Sequence, residues 1–320
     1  MMSDRVKLIA VPIVLAVLAA APLALGTGYW LGLATTTLMF ALLAQAWNLL
    51  GGYGGQFSFG HALFFGTGGY VTAVLQVRLG VDPWTGLVAG TAAGAAVGAF
   101  CGALSFRYGL KGSYFALVTL AFAEVFRILA TSVPFTGGGA GILIPLKVSA
   151  GNFQFADKAG FYYAVLILFA ISLLVTLAVE RSRFGTYLVA VRENEAAAAA
   201  LGINIFRVKL GAITLSGALA ALAGVFYTQF YLYLDPHIAY GAGISVEALL
   251  APIIGGLGTL FGPLIGAIVM RVLGELAHGW TGGAPGLSLA LFGLLLIIVL
   301  RFLPDGIVGL IARLGRRRHA

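Results

Sequence analysis

Long apolar stretches, separated by short polar or glycine-rich stretches, make up most of the chain. A helix needs about 20 mainly apolar residues to cross a bilayer. Ten segments meet or approach this requirement and are predicted to be helical spans: residues 8–25, 31–50, 57–77, 84–106, 113–130, 161–179, 210–230, 245–255, 260–273 and 287–303. Segments 245–255 and 260–273 are short, so they are either two short crossings or a re-entrant hairpin. The pattern predicts an all-α polytopic membrane protein, with residues 1–320 forming one transmembrane domain.

Composition supports a membrane environment. Hydrophobic residues make up 60% of the chain and charged residues 9%, with a mean hydropathy of +1.01. A soluble domain carries about 25% charged residues. The 46 glycines lie among aliphatic residues, which favours close helix packing in lipid over disorder. The single cysteine, Cys101, and four histidines show no metal-ligand spacing.

The first apolar segment has two interpretations. Arg5 and Lys7 precede it, as basic residues precede the apolar core of a signal peptide, and the alanines at 19–21 could mimic a cleavage site. Pro12 and Pro22 interrupt the run, and further spans follow it. We favour an uncleaved first span.

The basic residues are unevenly distributed between the two predicted sides of the membrane. With a cytoplasmic N-terminus and ten crossings, most of the 19 lysines and arginines lie on the cytoplasmic side, including the C-terminal arginines. This is the orientation that the positive-inside rule favours. It places both termini on the cytoplasmic side of a bacterial inner membrane. Residues 131–160 then form a periplasmic loop, and residues 180–209 form a cytoplasmic segment. The predicted periplasmic side keeps Arg78, Arg127, Lys147, Lys158 and Arg271.

The cytoplasmic segment contains signals for a short helix. Asn194 is a favourable N-cap, and Glu195 suits the positive end of a helix dipole. Five alanines follow Glu195, and Gly202 with Ile203 after it predicts a Schellman-type stop. From the residues alone, the helix is either a docking element for another protein or a solvated connector between two spans.

This segment resembles the coupling loop of ABC importer permeases, in which Glu-Ala-Ala is followed by three residues and Gly. Here four residues separate the Glu195 triplet from Gly202, so strict spacing puts Ala196 at the Glu position. The resemblance implies that the segment contacts an ATPase subunit. The residues to which it assigns this role are Arg192, Glu193, Asn194, Glu195, Ala196, Ala197, Leu201, Gly202 and Ile203.

Three motifs extend the resemblance to the LivM-type permeases of branched-chain amino-acid ABC importers. They comprise residues 55–66 with Gly69 and Tyr70, residues 192–210, and residues 255–267. The resemblance implies a type II-like, non-enzymatic permease that imports branched-chain amino acids or related small amino acids and amides. Its implied partners are a LivH-like permease, two ATPase subunits and a periplasmic binding protein.

No cofactor is expected in this chain, because the resemblance assigns ATP and Mg²⁺ to the ATPases and the sequence has no Walker A loop. Two alternatives stay open. Urea and short-amide importers share this permease family. An ion-coupled transporter acting alone would need buried carboxylates, for which Glu124 is the deep candidate.

Glycine-rich breaks occur in both halves of the chain, at residues 49–69 and 253–266, and suggest an internal repeat with discontinuous helices. Broken helices could bind a zwitterion, or their glycines could simply allow close packing. Glu124 and Arg127 are spaced for an ion pair on one helix, and Glu247 is predicted to be interfacial. The translocation-path candidates are Gln45, Asn48, Gln56, Ser58, His61, Glu124, Gly255, Gly256 and Gly258.

Overall fold

The computed structural model describes residues 4–26, 28–282, 284–302 and 306–310. Almost all of the regular structure in this part of the chain is helical. The α-helices are α1 Asp4–Leu25, α2 Tyr29–Trp47, α3 His61–Leu79, α4 Pro83–Arg107, α5 Gly112–Ser132, α6 Lys158–Glu180, α7 Arg183–Glu193, α8 Glu195–Ala200, α9 Ile205–Tyr231, α10 Pro236–Ala239, α11 Ala242–Gly255, α12 Gly262–Trp280 and α13 Pro285–Phe302.

Each of the ten predicted apolar segments coincides with a helix: α1 to α6, α9 and α11 to α13. Seven helical stretches of the described chain are long and apolar enough to cross a membrane. A π-helix at Asn48–Tyr53 continues α2, so that the stretch Tyr29–Tyr53 counts as one of the seven. The chain is therefore an all-α protein of the multi-pass membrane class. The C-terminal arginine cluster lies outside the described residues.

Polar side chains determine where several helices begin. Asp82 accepts hydrogen bonds from the backbone N–H groups of Trp84 and Thr85, both at 3.0 Å, and Pro83 occupies the first position of α4. Asp157 caps α6 and Asn204 caps α9 in the same way. These side chains satisfy amide groups that a helix start leaves without intrahelical partners.

A stripe of glycines on α4 brings this helix into backbone contact with α9. Gly86, Gly90, Gly94, Gly98 and Gly102 are all buried and recur every four residues, so they share one face. A Cβ atom added to Gly94 would lie 2.3 Å from the Ala221 Cβ and 2.7 Å from the carbonyl oxygen of Gly217. The stripe explains the glycine content of α4, because lipid supplies no hydrophobic drive and close packing must hold the helices together.

Helix α3 packs against α9 just as closely. A Cβ atom on Gly224 would lie 1.9 Å from the Phe65 carbonyl oxygen, and one on Gly68 would lie 2.4 Å from that of Ala221. Helix α2 is buried along most of its length and contacts α6, α9, α11 and α12. Helix α1 lies on the outside of the helical assembly, because only 6% of its apolar stretch is buried. The buried core is therefore formed mainly by α2, α3, α6, α9 and α11, and α4 packs onto α9 through its glycine stripe.

The contacts of charged residues define two ends of the helical assembly. At one end, Lys7 pairs with Glu180, and Lys111 and Lys209 both pair with Glu195. These contacts bring the start of α1, the loop before α5 and the α7–α8 segment together. At the other end, Arg78 donates to the carbonyl oxygen of Phe135 at 3.4 Å, and Arg127 lies 3.2 Å from His237.

Residues 131–160 form an ordered connection at the second end. Strand β1 (Ile142–Leu143) pairs antiparallel with β2 (Tyr233–Leu234). The indole N–H of Trp84 donates to the Ala150 carbonyl at 2.9 Å, and its ring meets that of buried Phe153 edge-on at 4.5 Å. This connection therefore covers the ends of α4 and α9.

Replacing Gly94 by valine is expected to destabilise the folded protein. The added side chain would overlap Ala221 and Gly217 on α9, and overpacking of this kind costs about 1–3 kcal/mol. Thermal unfolding of the detergent-purified protein measures the effect. Gly32→Val is the matched control, since no atom lies within 4 Å of a Cβ at Gly32. Equal melting temperatures for the two variants would contradict the proposed backbone contact.

Candidate functional site

The two glycine-rich breaks, far apart in sequence, lie directly against each other. The side chain of Asn48 joins them: its Nδ2 donates to the Thr259 carbonyl at 3.0 Å, and its Oδ1 accepts from the Gly258 N–H at 2.9 Å. Asn48 is fully buried at the start of the π-helix. One amide side chain thus satisfies two backbone groups that the second break exposes.

Glycine is required on both sides of this contact. A Cβ atom on Gly52 would lie 2.6 Å from the Gly258 amide nitrogen. Gly256 and Gly258 have φ angles of +135° and +65°, in the region that favours glycine. Their backbone turns the chain sharply between α11 and α12.

The helices that follow the breaks begin with partnered amides. At the start of α3, the Ala62 N–H donates to the Ser245 hydroxyl at 2.9 Å. At the start of α12, the Gly262 N–H donates to the Thr259 hydroxyl at 3.1 Å. Gly255 packs so closely on α12 that a Cβ atom would lie 1.8 Å from the Gly262 carbonyl oxygen. These contacts favour the close-packing interpretation of the breaks over zwitterion binding at their helix starts.

Four other path candidates lie in or beside the first break, and all are buried. Gln56 donates to the Gly54 carbonyl at 3.1 Å, and the Ser58 hydroxyl accepts from the Gly60 N–H at 3.1 Å. The His61 Nε2 lies 2.8 Å from the Ser216 hydroxyl, which donates to the Ala46 carbonyl at 2.7 Å. Among the described residues, neither amide atom of Gln45 has a hydrogen-bond partner.

Because the Ser216 proton goes to the Ala46 carbonyl, the serine oxygen accepts from His61. His61 therefore carries its proton on Nε2. Its Nδ1 has no partner in the described chain. The arrangement pins α3 to α9 and α2 within the core.

Glu124 lies apart from the breaks, on α5. Arg127 binds it with two hydrogen bonds, Nε to Oε2 at 2.8 Å and Nη2 to Oε1 at 2.5 Å. The ion pair has the i, i+3 spacing expected from the sequence. The Glu124 side chain is 52% exposed. It is therefore not brought together with the other path candidates.

The predicted coupling segment is a helix–kink–helix unit. Ser182 caps α7, and Asn194 ends α7 in an extended conformation and caps α8 by accepting from the Ala197 N–H at 3.0 Å. At the far end, the N–H of Gly202 donates to Ala199 at 2.9 Å and that of Ile203 to Ala198 at 3.1 Å. With φ +83° at Gly202, these bonds form the Schellman motif that the sequence predicts.

Glu195 ties α8 to the rest of the chain. It pairs with Lys209 at the start of α9 and with Lys111 before α5, the latter at 2.6 Å. The Lys209 side chain is only 4% exposed. Partial burial raises the pKa of Glu195, but the hydrogen bonds and charges of both lysines outweigh it and hold the pKa below its usual 4.5. Glu195 therefore makes contacts inside this chain, whatever α8 meets outside it.

Arg192 links the segment to the breaks. Its Nη1 donates to the Gly52 carbonyl at 2.8 Å, while Nε and Nη2 donate to Glu193 at 3.0 and 2.7 Å. A Cβ atom on Gly55 would lie 2.6 Å from the Arg192 Cγ, and one on Gly258 would lie 3.0 Å from its Nη1. Arg192 thus lies where the two breaks and the end of α7 converge.

The outer face of α8 and the turn after it carry small or apolar side chains. Ala196, Ala197 and Gly202 contribute little side-chain volume, and Leu201 is 81% exposed. Nothing lies within 4 Å of a Cβ at Gly202. A single apolar side chain therefore projects from an otherwise smooth surface.

Sequence reasoning missed the partners that make this site. Lys111, Lys209, Ser216, Ser245 and Thr259 complete its hydrogen bonds and ion pairs. Lys209 carried a signal, since it stands directly before an apolar span and so needs a counter-charge. The remaining four are ordinary loop or helix residues in the sequence, and only the fold identifies their partners.

The fold defines an α-helical, multi-pass membrane protein. The family described as branched-chain amino acid transport system / permease component matches residues 29–300. The chain belongs to this family and is a permease subunit of an ABC importer. No solved structure matches it.

Individual relatives agree with the family. The high-affinity branched-chain amino acid permease protein LivM of Escherichia coli (strain K12) is 29% identical over 300 residues, covering 86% of this chain and 69% of the relative. LivH of Salmonella typhimurium is 28% identical over 84% of this chain and 91% of its own. BraD of Pseudomonas aeruginosa is 27% identical over the same shares. The resemblance to LivM-type permeases is confirmed.

Glu195→Gln is expected to destabilise the protein at neutral pH by about 1–3 kcal/mol, because buried Lys209 loses its counter-charge. The folded-state pKa of Glu195 is lowered from its unfolded-state value of about 4.5. The contribution of Glu195 to stability is therefore complete above pH 4.5 and is lost as the pH falls through the folded-state pKa. The difference in melting temperature between variant and wild type should therefore shrink under acid conditions.

Two further variants test the assignment. Glu193→Gln removes a carboxylate whose side chain is 66% exposed, and should change stability little. The double variant Glu195→Gln, Lys209→Gln should lose less free energy of unfolding than the two single variants lose in sum. Additive losses would contradict a direct pair.

Proposed function

We propose that this chain forms the translocation pathway of an ATP-driven importer for branched-chain amino acids or closely related small amino acids and amides. The family match and the names of LivM, LivH and BraD support this substrate class. Alternating exposure of the pathway to the two sides would then be driven by ATP hydrolysis in partner subunits. This chain would contribute no nucleotide site, and ATP and Mg²⁺ would be bound by the ATPases.

The contact between Arg192 and Gly52 carries the proposal of energy coupling. It connects the end of α7 to the π-helix, and Asn48 connects the π-helix to the second break. A displacement of the α7–α8 segment would therefore reach both breaks through hydrogen bonds to their backbone. We propose residues 180–209 as the cytoplasmic coupling segment, with residues 192–197 and 201–203 next to an ATPase.

The proposed complex contains a LivH-like permease, two ATPase subunits and a periplasmic binding protein. In this proposal the chain crosses the bacterial inner membrane ten times, with cytoplasmic termini and a periplasmic loop at 131–160. The grouping of Lys7, Lys111 and the α7–α8 segment at one end supports this arrangement, since all belong to the predicted cytoplasmic side. The loop 131–160 lies at the opposite end, with β2 and α10.

The two breaks are proposed to border the pathway and to stem from an internal repeat. In each, an apolar helix ends in glycines and a second helix begins after a short turn, at His61 and at Gly262. Gln45, whose buried amide has no partner in the described chain, is the path candidate with free hydrogen-bonding capacity. Gln56, Ser58, His61, Gly255, Gly256 and Gly258 would shape the breaks rather than bind cargo.

Glu124 has no part in this pathway. Its bidentate pair with Arg127 and its exposure argue against an ion-coupling carboxylate. The ion-coupled alternative accordingly receives no support from the candidate that the sequence offered for it.

Disturbing the outer surface of α8 is expected to uncouple ATP hydrolysis from uptake. Leu201→Asp places a charge at the most exposed apolar position of the segment without altering its backbone, and Gly202→Trp adds bulk where the chain leaves open space. In the assembled importer both variants should lose most stimulated uptake while ATPase activity persists and membrane insertion is unchanged.

Two controls accompany this measurement. Gly202→Asn keeps a residue that tolerates positive φ and adds little bulk, so it should transport better than Gly202→Trp. Leu143→Asp changes another strongly exposed leucine, at the opposite end, and should leave coupling intact. Wild-type uptake by both α8 variants would rule out docking at this surface.

Competition for uptake tests the substrate class. Excess unlabelled leucine, isoleucine or valine is expected to suppress uptake of radiolabelled leucine by the assembled importer, and urea or acetamide to have little effect. Dominant inhibition by urea or short amides would replace the proposed substrate with the amide alternative. Uptake by the purified chain without any ATPase would instead indicate an ion-coupled transporter.

A further inference from the structure

A cavity separate from the breaks lies between α2, α11, α12 and α13. Its volume is about 520 Å³, within the range of small-molecule sites. Its lining residues include the charged Glu247, Arg271 and Glu275 and the apolar Phe40, Met270 and Phe292. None of them was selected from the sequence as a path candidate.

The cavity gathers charges of both signs within helices that belong to the apolar part of the chain. Arg271 and Glu275 lie four residues apart on α12 and therefore on one face, and Glu247 faces them from α11. Arg271 belongs to the predicted periplasmic side, so the cavity lies toward that face of the membrane.

Two of the three charged groups are held in place by neighbours. Glu275 accepts from the Tyr29 hydroxyl at 2.7 Å, and the Arg271 guanidinium lies over the Phe40 ring at 5.1 Å from its centre. In the described part of the chain, Arg271 and Glu247 take part in no salt bridge. The cavity thus presents an oriented cation and a carboxylate that no salt bridge joins in the described part of the chain.

The rest of the wall is apolar and open. Phe40, Met270 and Phe292 provide aromatic and thioether surface, with Ala251 and Ala267 between them. Nothing lies within 4 Å of a Cβ at Gly274, so the middle of this wall carries no side chain. An aliphatic group of a few carbons could lie against this surface.

We propose that this cavity binds the zwitterionic amino-acid cargo on its way into the membrane. The inference rests on the proposed function and extends it by naming a site. Arg271 binds the carboxylate, because a guanidinium matches its two oxygens. Glu247 binds the ammonium group, since Glu275 already accepts from Tyr29. The wall of Phe40, Met270 and Phe292 takes the branched side chain.

The position of the cavity suits an entry site. Tyr29 begins α2 and Glu247 lies in the first half of α11, next to α10 and the end that carries residues 131–160. Phe40 precedes Asn48 by eight residues on the same helix, about 12 Å along its axis. Helix α12 likewise runs from the second break to Arg271. Cargo leaving the cavity along α2 and α12 would therefore reach the joined breaks.

The kinetic test compares Arg271→Gln with wild type in the assembled importer. Loss of the cation should raise the KM for leucine about tenfold or more, while the complex assembles in the same amount. Arg271→Lys should recover part of the loss. Arg78→Gln is the matched control, because it removes an arginine at the same end of the molecule but outside the cavity.

Thiol labelling tests the same site without turnover. The only native cysteine, Cys101, is buried, so Ser288→Cys places a unique reactive thiol in the cavity wall. In the assembled permease without binding protein, leucine should slow labelling, and leucinamide, which lacks the carboxylate, should slow it much less. With Arg271→Gln, the protection by leucine should disappear.

The outcomes separate this proposal from the function on which it rests. A wild-type importer that transports no amino acid refutes the proposed function. A wild-type importer that transports leucine, with an unchanged KM in Arg271→Gln, refutes the cavity alone. Equal protection by leucine and leucinamide also refutes it, and indicates apolar filling. A thiol that reacts in the purified chain but never in the assembled complex shows that a partner subunit fills the space, and this result also refutes the cavity as a cargo site.

Discussion

A helix that breaks inside a membrane protein exposes backbone N–H and C=O groups that lipid cannot satisfy. Here the two breaks supply partners for each other. Asn48 binds Gly258 and Thr259, and Arg192 binds Gly52. Without these bonds, each break would leave unpaired polar groups, at a cost of several kcal/mol per group. The four helices α2, α3, α11 and α12 can therefore pack in this arrangement only because the two breaks contact each other.

The same requirement explains why a segment outside the spans is joined to the core. Arg192 belongs to α7, yet one of its hydrogen bonds serves the π-helix that ends α2. Glu195, the first residue of α8, is held by lysines from two other parts of the chain. The α7–α8 unit is thus fixed at Arg192 and Glu195, while Leu201 and Gly202 face outward. An arrangement that is anchored on one face and smooth on the other suits a docking helix that transmits displacement.

Several elements could be predicted from the residues because their causes are local. The apolar segments fall on helices, and the signals at Asn194 and Gly202 produce the cap and the Schellman stop that they predict. The Glu124–Arg127 pair follows from spacing on one helix. By contrast, nothing in the sequence indicates that Asn48 meets Gly258, because that contact joins residues 210 positions apart.

What the sequence alone determined is the class of the protein. Its solvent is lipid, its elements are helices, and its motifs belong to the branched-chain amino-acid permeases, because composition, periodicity and motif are properties of the chain itself. What only the tertiary structure decided is which polar residues are partners. The meeting of the breaks, the lysines around Glu195 and the charged cavity at Arg271 depend on how helices pack. Close packing is set by shape across helices, and shape is not readable from any one helix.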